Sequence, residues 1–214
     1  MTWNNEVNGN ILCMNKKLWE PSKKIKRNSN LFKFEKFLSN KFKKKFNINF
    51  EKIHNWSIKN PQNFWDSIWD YSKVKGKKNK NKIKRSSKFY KNIFLPNSKL
   101  NFSENLLSKN TDDKAITFIS ENGYREIKNW KELNQNVKKV ANYLKSLKVK
   151  SKDRIVAYMP NTSETVEAFL GTVAIGSIWS SCSPDFGVNG VVERFSQIKP
   201  KVLFVTNEYF YNGK

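Results

Sequence analysis

The stretch "IWSSCSPDFGVNGVVERFSQIKPKVLF", residues 178–204, reads as a strand, a polar turn, a short helix and a second strand. A strand–helix–strand unit of this length predicts a right-handed crossover and a parallel sheet. Ligands of such sheets bind beyond the carboxyl ends of the strands. The turn at residues 182–187 lies at one of these ends, so we expect it to face a ligand. An equally consistent interpretation is that Pro184 and Asp185 only cap the helix that follows.

The same alternation of strands and helices extends upstream to about residue 115. The apolar segments "AITFIS" and "GYREIK" flank Asn122-Gly123, a dipeptide typical of hairpins, and "RIVAYM" reads as a buried strand. Asn129 and Glu132 have the spacing of a capping box, and Asn161 is expected to cap the next helix. Spacings of three and four residues predict one buried helical face, formed by Leu133, Val137, Val140, Leu144 and Leu147. The fold class is therefore α/β, with part of a parallel or mixed sheet and flanking helices.

The first half of the chain has a helical pattern. The segment "LFKFEKFLSNKF" (31–42) places its apolar side chains on one helical face. The segment "NPQNFWDSIWDYSKV" (60–74) predicts a second helix, with Asn60 as its cap and Pro61 at its first position. Residues 1–17 show no periodicity. We therefore expect a poorly ordered N-terminus at 1–17, a helical extension at 18–110 and an α/β domain at 111–214.

Positive charge is concentrated in the front half. The chain has 41 Lys and Arg against 18 Asp and Glu, a net charge of +23, of which +19 lies in residues 1–110. The densest part is "KVKGKKNKNKIKRSSKFYK" (73–91), with ten basic residues and no acid. Such a segment could bind nucleic-acid phosphates. A solvated Lys/Asn-rich loop is favoured instead, because aromatic residues occur only at one end and no nucleic-acid-binding module is recognisable.

Composition and motifs exclude several classes of protein. There is no apolar run long enough to span a membrane, and no secretory signal pattern at the N-terminus. Cys13 and Cys182 are too few for a disulfide framework, so we expect a reducing, cytoplasmic location. No metal-binding or phosphate-loop motif is present. We assign no catalytic role to His54, the only histidine, and expect Cys182 to be a buried small residue, not a nucleophile.

Four segments resemble the acyl-adenylate-forming ligases. The longest is "DRIVAYMPNTSETVEAFLGTVAIGSIWSSCSPDFGVNGVVERFSQIKPKVLF" (153–204), and its motif "IWSSCSPDFG" is similar to that of the acetoacetyl-CoA synthetase subgroup. Upstream, "LWEPS" (18–22), "WSIKNPQNFWDSIWDY" (56–71) and "LNFSENLL" (100–107) agree in order. The resemblance covers residues 18–214, and it implies the front part of the ligases' large domain. The basic segment 73–91 falls where the family has a variable connection.

The resemblance implies a two-step reaction. ATP and Mg²⁺ activate acetoacetate, or another short-chain carboxylate, as an acyl adenylate, and coenzyme A then displaces AMP. By position, the resemblance implies that Ser183, Pro184, Asp185, Phe186 and Lys214 contact coenzyme A. It assigns neither catalytic residues nor a metal site to this chain, and it implies neither a membrane nor a specific nucleic acid as a partner.

The family's remaining groups have no counterpart in these 214 residues. They are a phosphate loop, an adenine motif, a ribose-binding Asp and a lysine of the C-terminal domain. We therefore expect an N-terminal fragment, about a third of a family member, that is inactive alone. Activity would need the remainder, in the same chain or on a second polypeptide. The alternatives are a fragment of another short-chain acyl-CoA synthetase and a basic nucleic-acid-binding protein.

Overall fold

The computed structural model describes residues 18–213. The segment 1–17, which was expected to be poorly ordered, lies outside the described residues. The chain divides into two compact units, one ending at Tyr71 and the other beginning at Ser72. The first is helical and the second is α/β. The boundary near residue 110 that the sequence pattern indicates stays a prediction.

The first unit consists of helices in its described part. They surround an aromatic core in which Phe46 and Leu38 are almost completely buried. Trp56 lies against Phe42 and Phe46, with ring centroids 5.0 and 5.6 Å away. Burial of these large side chains supplies the stability that short isolated helices lack. Both helices predicted in this region are confirmed; the elements are α1 (Lys23–Asn28), α2 (Asn30–Phe42), α3 (Phe50–Lys59) and α4 (Pro61–Tyr71).

The junction between α3 and α4 differs in one detail from the prediction. Pro61 is the first residue of α4, as expected. Asn60, however, is the C-cap of α3, and its side-chain amide donates a hydrogen bond of 3.1 Å to the carbonyl of Trp56. The Asn60 carbonyl accepts from the amide of Phe64 at 3.0 Å, so Asn60 also lies at the predicted start of α4, while its side chain satisfies a carbonyl at the end of α3.

The second unit begins with the basic segment. A ribbon of two-residue strands pairs the start of this segment with the chain beyond it, with Gly76 antiparallel to Leu100. A one-turn 3-10 helix, Phe89–Lys91, lies between the two strands of the ribbon. The elements of this part are β1 (Gly76–Lys77), β2 (Lys99–Leu100) and α5 (Phe102–Leu106).

A hairpin and a long helix follow. Strands β3 (Lys114–Ile119) and β4 (Arg125–Asn129) pair antiparallel around the predicted Asn122-Gly123 turn. Helix α6 (Trp130–Ser146) starts with the predicted capping box, in which Asn129 and Glu132 exchange hydrogen bonds of 2.9 and 2.8 Å. The buried face is confirmed up to Leu144. Leu147 was predicted to be part of that face but is 43% exposed, because the helix ends there.

The predicted parallel sheet is confirmed. It has three strands in the order β6-β5-β7 within the described residues: β5 (Arg154–Tyr158) lies in the centre, with β6 (Ile178–Cys182) and β7 (Val202–Val205) parallel to it on either side. Helices α7 (Ser163–Ala174) and α8 (Val188–Ile198) form the crossovers. The central strand buries Ile155, Val156 and Ala157 almost completely. β7 exposes alternate side chains at the edge, although its sequence is typical of strands buried on both faces.

Asn161 is not the cap of α7, contrary to the prediction. The N-cap is Thr162, one residue later. The reason is a tight turn in which the amide of Thr162 donates to the carbonyl of Pro160 at 2.9 Å. Asn161 lies in this turn, one position too early to reach the free amides of the helix. Gly176 ends the crossover with a left-handed φ of 77°, as the sequence predicted.

Candidate functional site

A cavity of about 580 Å³ lies beyond the carboxyl ends of all three parallel strands. The loops that follow β5, β6 and β7 form three of its walls, because parallel strands end at the same edge of a sheet. The tip of the β3–β4 hairpin forms the fourth. The lining segments are 118–122 with Tyr124, 159–162 with Glu164, 183–185, and 206 with 208–211.

The turn after β6 is held in a fixed conformation from two sides. The Ser183 hydroxyl donates a hydrogen bond of 2.7 Å to the Asp185 carboxylate. The hydroxyl of Tyr158, the last residue of β5, lies 2.7 Å from the carbonyl oxygen of Pro184 and 2.9 Å from that of Phe186. The central strand therefore positions the turn that closes the neighbouring strand.

The structure separates the predicted site residues into two groups. Ser183, Pro184 and Asp185 line the cavity. Phe186 does not, and its ring lies under the guanidinium of Arg194, whose central carbon is 4.3 Å from the ring centroid. Lys214 lies outside the described residues.

The capping alternative for this turn is not what the structure shows. The N-cap of α8 is Gly187, and no side chain caps this helix with a hydrogen bond. The Asp185 carboxylate accepts from Ser183 and so belongs to the turn. Cys182 is buried against Val156 and Phe195, in agreement with its interpretation as a small core residue.

Sequence reasoning missed the other walls of the cavity. The sequence did predict the turn at Asn122-Gly123. Nothing in the local sequence, however, indicates that this turn lies close to the ends of the parallel strands. The backbone amide of Asn212 donates to the Glu121 carboxylate at 2.6 Å, which ties the segment after β7 to this tip. The two residues are 91 positions apart, so only the fold brings them together.

The cavity is electrostatically negative. Four carboxylates line it, those of Glu121, Glu164, Asp185 and Glu208, and the described lining includes neither Lys nor Arg. Partial desolvation, followed by the charge of Asp185, raises the pKa of Tyr209 above its usual value. Phosphate groups do not fit such a lining, because they would be held against like charges, and the ammonium of Lys128 beside the cavity is already paired with three carboxylates. An uncharged chain fits it, since Phe118, Pro160 and several tyrosines supply apolar contact.

The described side chains alone do not form a metal site. Within residues 18–213, three or more His, Cys, Asp or Glu side chains do not converge in a way that could hold one. The described lining also offers no Lys or Arg for the phosphates of a nucleoside triphosphate. None of the helices in this part of the chain combines the length and apolar character needed to cross a bilayer.

Lys128 connects the hairpin to helix α7 beside the cavity. Its ammonium lies 2.9 Å from the Glu167 carboxylate, 3.2 Å from that of Glu164 and 3.5 Å from that of Glu126. Burial alone would lower the pKa of Lys128, but hydrogen bonds and attraction to Glu167 and Glu164 outweigh it and raise that pKa. Burial alone would raise the pKa of Glu164. Hydrogen bonds from its own backbone amide, from Thr162 and from Lys128 outweigh burial and hold that pKa below its usual value.

Comparison with known proteins identifies relatives of this chain. A family described as "AMP-binding enzyme" matches residues 104–212. The chain is 36% identical over 197 residues to an acetoacetyl-coenzyme A synthetase of Rhizobium meliloti (strain 1021), which covers 92% of this chain. It is 33% identical over 173 residues, or 77% of the chain, to a malonamoyl-CoA synthetase of Penicillium aethiopicum.

A solved structure is also similar. The acetoacetyl-CoA synthetase from Streptomyces lividans superposes with a TM-score of 0.83 at 27% identity over 92% of this chain. The match covers 31% of the Streptomyces chain, 30% of the Rhizobium protein and 24% of the Penicillium protein. The 214 residues thus span about a third or less of the length of the relatives they match. The expected fold, the front part of the large domain of an adenylate-forming ligase, is confirmed by this superposition.

Proposed function

Because the chain belongs to the AMP-binding enzyme family, we propose that it forms the front part of an acetoacetate–CoA ligase. The reaction converts ATP, acetoacetate and coenzyme A to acetoacetyl-CoA, AMP and pyrophosphate. The observation that carries this proposal is the 36% identity to an acetoacetyl-coenzyme A synthetase over 92% of the chain. A reducing, cytoplasmic location belongs to the same proposal, because the chain has only two cysteines.

The described residues contribute binding surface in this proposal. Ser183, Pro184 and Asp185 contact coenzyme A, and the acidic lining restricts that contact to an uncharged part of the molecule. Phe186 acts indirectly, since its carbonyl accepts from Tyr158 and its ring is covered by Arg194. Lys214 supplies a cation for the phosphate-bearing end. ATP is assigned to none of the described residues, because the lining has no Lys or Arg for its phosphates. Mg²⁺ would be held together with those phosphates and is likewise assigned to none of them.

A second carboxylate substrate has specific support. The malonamoyl-CoA synthetase of Penicillium aethiopicum is 33% identical to this chain, only slightly less than the acetoacetyl-CoA synthetases. A ligase for another short-chain carboxylate is therefore the alternative. The two are separated by assaying the native protein, captured from its own cells with an antibody against residues 18–213. Thioester formation with acetoacetate well above that with malonamate or acetate supports the proposal, and the reverse order favours the alternative.

The role of the turn is tested in a chimera in which this chain replaces the matching segment of the Streptomyces lividans enzyme. We expect Asp185→Ala to raise the KM for coenzyme A severalfold, because the turn loses the hydrogen bond from Ser183. ATP–pyrophosphate exchange should be unchanged, since that half of the reaction does not use coenzyme A. The control is Glu193→Ala, on the exposed surface of α8. An equal loss of both activities in the Asp185 variant would assign the turn to adenylation or to folding instead.

A further inference from the structure

The basic segment is ordered by its own backbone contacts. Lys84 and Ile93 exchange two backbone hydrogen bonds of 3.1 and 3.0 Å, which close a loop around the 3-10 turn. Within this loop the amide of Ser86 donates to the side-chain oxygen of Asn92 at 2.7 Å. The ribbon of β1 and β2 joins the start of the segment to residues 99–100, beyond its end. The segment therefore presents its side chains from a defined turn.

The surface of this turn combines two kinds of side chain. All eight residues from Lys84 to Lys91 are exposed. Phe89 is 79% exposed and Tyr90 76%, and Ile93, at the base of the loop, is 50% exposed. Ten basic residues and no acid occupy positions 73–91. A solvated loop accounts for the lysines, but it does not account for two large aromatic side chains held in water at the tip.

We propose that residues 84–91, here called the basic aromatic turn, dock this protein onto the surface of an anionic phospholipid bilayer. Phe89 and Tyr90 enter the interfacial region, where aromatic rings partition favourably. Lys84, Arg85, Lys88 and Lys91 lie over the anionic head groups, where each cation contributes to binding. A fully exposed turn can approach a flat surface end-on, and this binding is peripheral, without a membrane-crossing helix.

The turn fits a bilayer better than it fits a nucleic acid. Successive residues of a 3-10 helix point about 120° apart, so Phe89 and Tyr90 do not form a platform on which successive bases could stack. Ile93 has no aromatic face at all. Both aromatic rings can nevertheless lie at the same depth in a head-group layer. Single-stranded RNA is thus the competing ligand in the test.

The test is co-sedimentation of the 214-residue chain with lipid vesicles. We expect binding to vesicles of phosphatidylcholine and phosphatidylserine in equal amounts, and little binding to phosphatidylcholine alone. Replacing Lys84, Arg85, Lys88 and Lys91 by Gln should reduce the partition coefficient by about fivefold per residue. The double variant Phe89→Ser with Tyr90→Ser should reduce it by about tenfold or more at unchanged charge.

The matched control removes the same charge elsewhere. Lys138, Lys139, Lys145 and Lys148 are exposed in and just after α6, and their replacement by Gln should reduce binding much less. Equal losses in the two quadruple variants, or no loss in the aromatic variant, would overturn the proposal in favour of diffuse attraction by net charge. So would tighter binding of poly-uridine than of the vesicles. The turn is remote in sequence from the cavity lining, so this result is independent of the ligase assay.

Discussion

Gly171 allows helices α6 and α7 to pack closely. A β-carbon at this position would lie 2.5 Å from Cγ1 of Val140, far inside van der Waals contact. We expect Gly171→Ala to lower the free energy of unfolding by about 1–3 kcal/mol, because the helices must separate to admit the methyl group. Urea denaturation followed by circular dichroism measures this change.

Gly190, in α8, provides the control for Gly171. A β-carbon there would meet nothing within 4 Å. Gly190→Ala should therefore stabilise the protein by about 0.5–1 kcal/mol, because alanine has the higher helix propensity. A destabilisation of the same size in both variants would show that the close approach at Gly171 is not what matters.

Helix caps show how far a single residue could be predicted from sequence. Asn129 with Glu132 was predicted correctly, because both partners of the capping box are local in sequence. Asn161 had the same spacing to Glu164, but the Pro160 turn moved the helix start by one residue. The spacing of residues determines where a cap could form, whereas the backbone turn that precedes it determines where it does form.

The two asparagines therefore give a matched test of capping. We expect Asn129→Ala to cost about 1 kcal/mol, because the amide of Glu132 loses its acceptor. Asn161→Ala should cost less than about 0.5 kcal/mol, since Asn161 caps no helix. Thermal denaturation of both variants checks this order, and a reversed order would contradict the observed helix start.

At the scale of elements, the Lys128 network joins strand β4 to helix α7. The side chain of Lys128 is only 12% exposed and that of Glu167 9%. We expect Lys128→Met to destabilise the protein by about 2 kcal/mol at neutral pH, because a largely buried carboxylate loses its cation. Lys131→Met is the control, because its pair with Asp112 is exposed and should contribute less than about 0.5 kcal/mol.

The pH dependence of the Lys128 network has a definite sign. The lowered pKa of Glu164 means that its contribution is present above its unfolded pKa, about 4.3, and is lost as the pH falls through the folded value. The raised pKa of Lys128 means that its contribution is lost only as the pH rises above about 10. The deficit of Lys128→Met should therefore stay constant from neutral pH down to about pH 4 and shrink below it, as the pH falls through the lowered folded pKa of Glu164. A deficit independent of pH would show that packing, not charge, is lost.

Sequence patterns predicted the individual elements, the hairpin and the parallel sheet, but not the side-chain contacts between distant elements. The hairpin, α6 and the parallel strands have local signals in turns, caps and apolar spacing. The contacts of Lys128 with Glu164 and Glu167 span 36 and 39 residues, and neither position carries a local signal for the other. The cavity is similar, because its position follows from the parallel topology while its acidic lining comes from four separate segments. Such features depend on the three-dimensional arrangement alone.

Across the whole molecule, the described residues supply binding surface but no adenylating group in the proposed function. Acyl-adenylate formation requires cations and backbone donors around the phosphates of ATP. The described cavity offers four carboxylates in their place. The reaction should therefore depend on the remainder that the relatives possess and that the Streptomyces lividans segment supplies in the chimera.

The most direct test of this account is acetoacetate-dependent exchange of labelled pyrophosphate into ATP. It is measured on the purified 214-residue chain and on the chimera with the Streptomyces lividans enzyme, with the Streptomyces remainder alone as a control. We predict background exchange for the chain and for the remainder, and exchange followed by acetoacetyl-CoA formation for the chimera. Exchange above background by the chain alone would contradict the account, as would a folded chimera that forms no thioester.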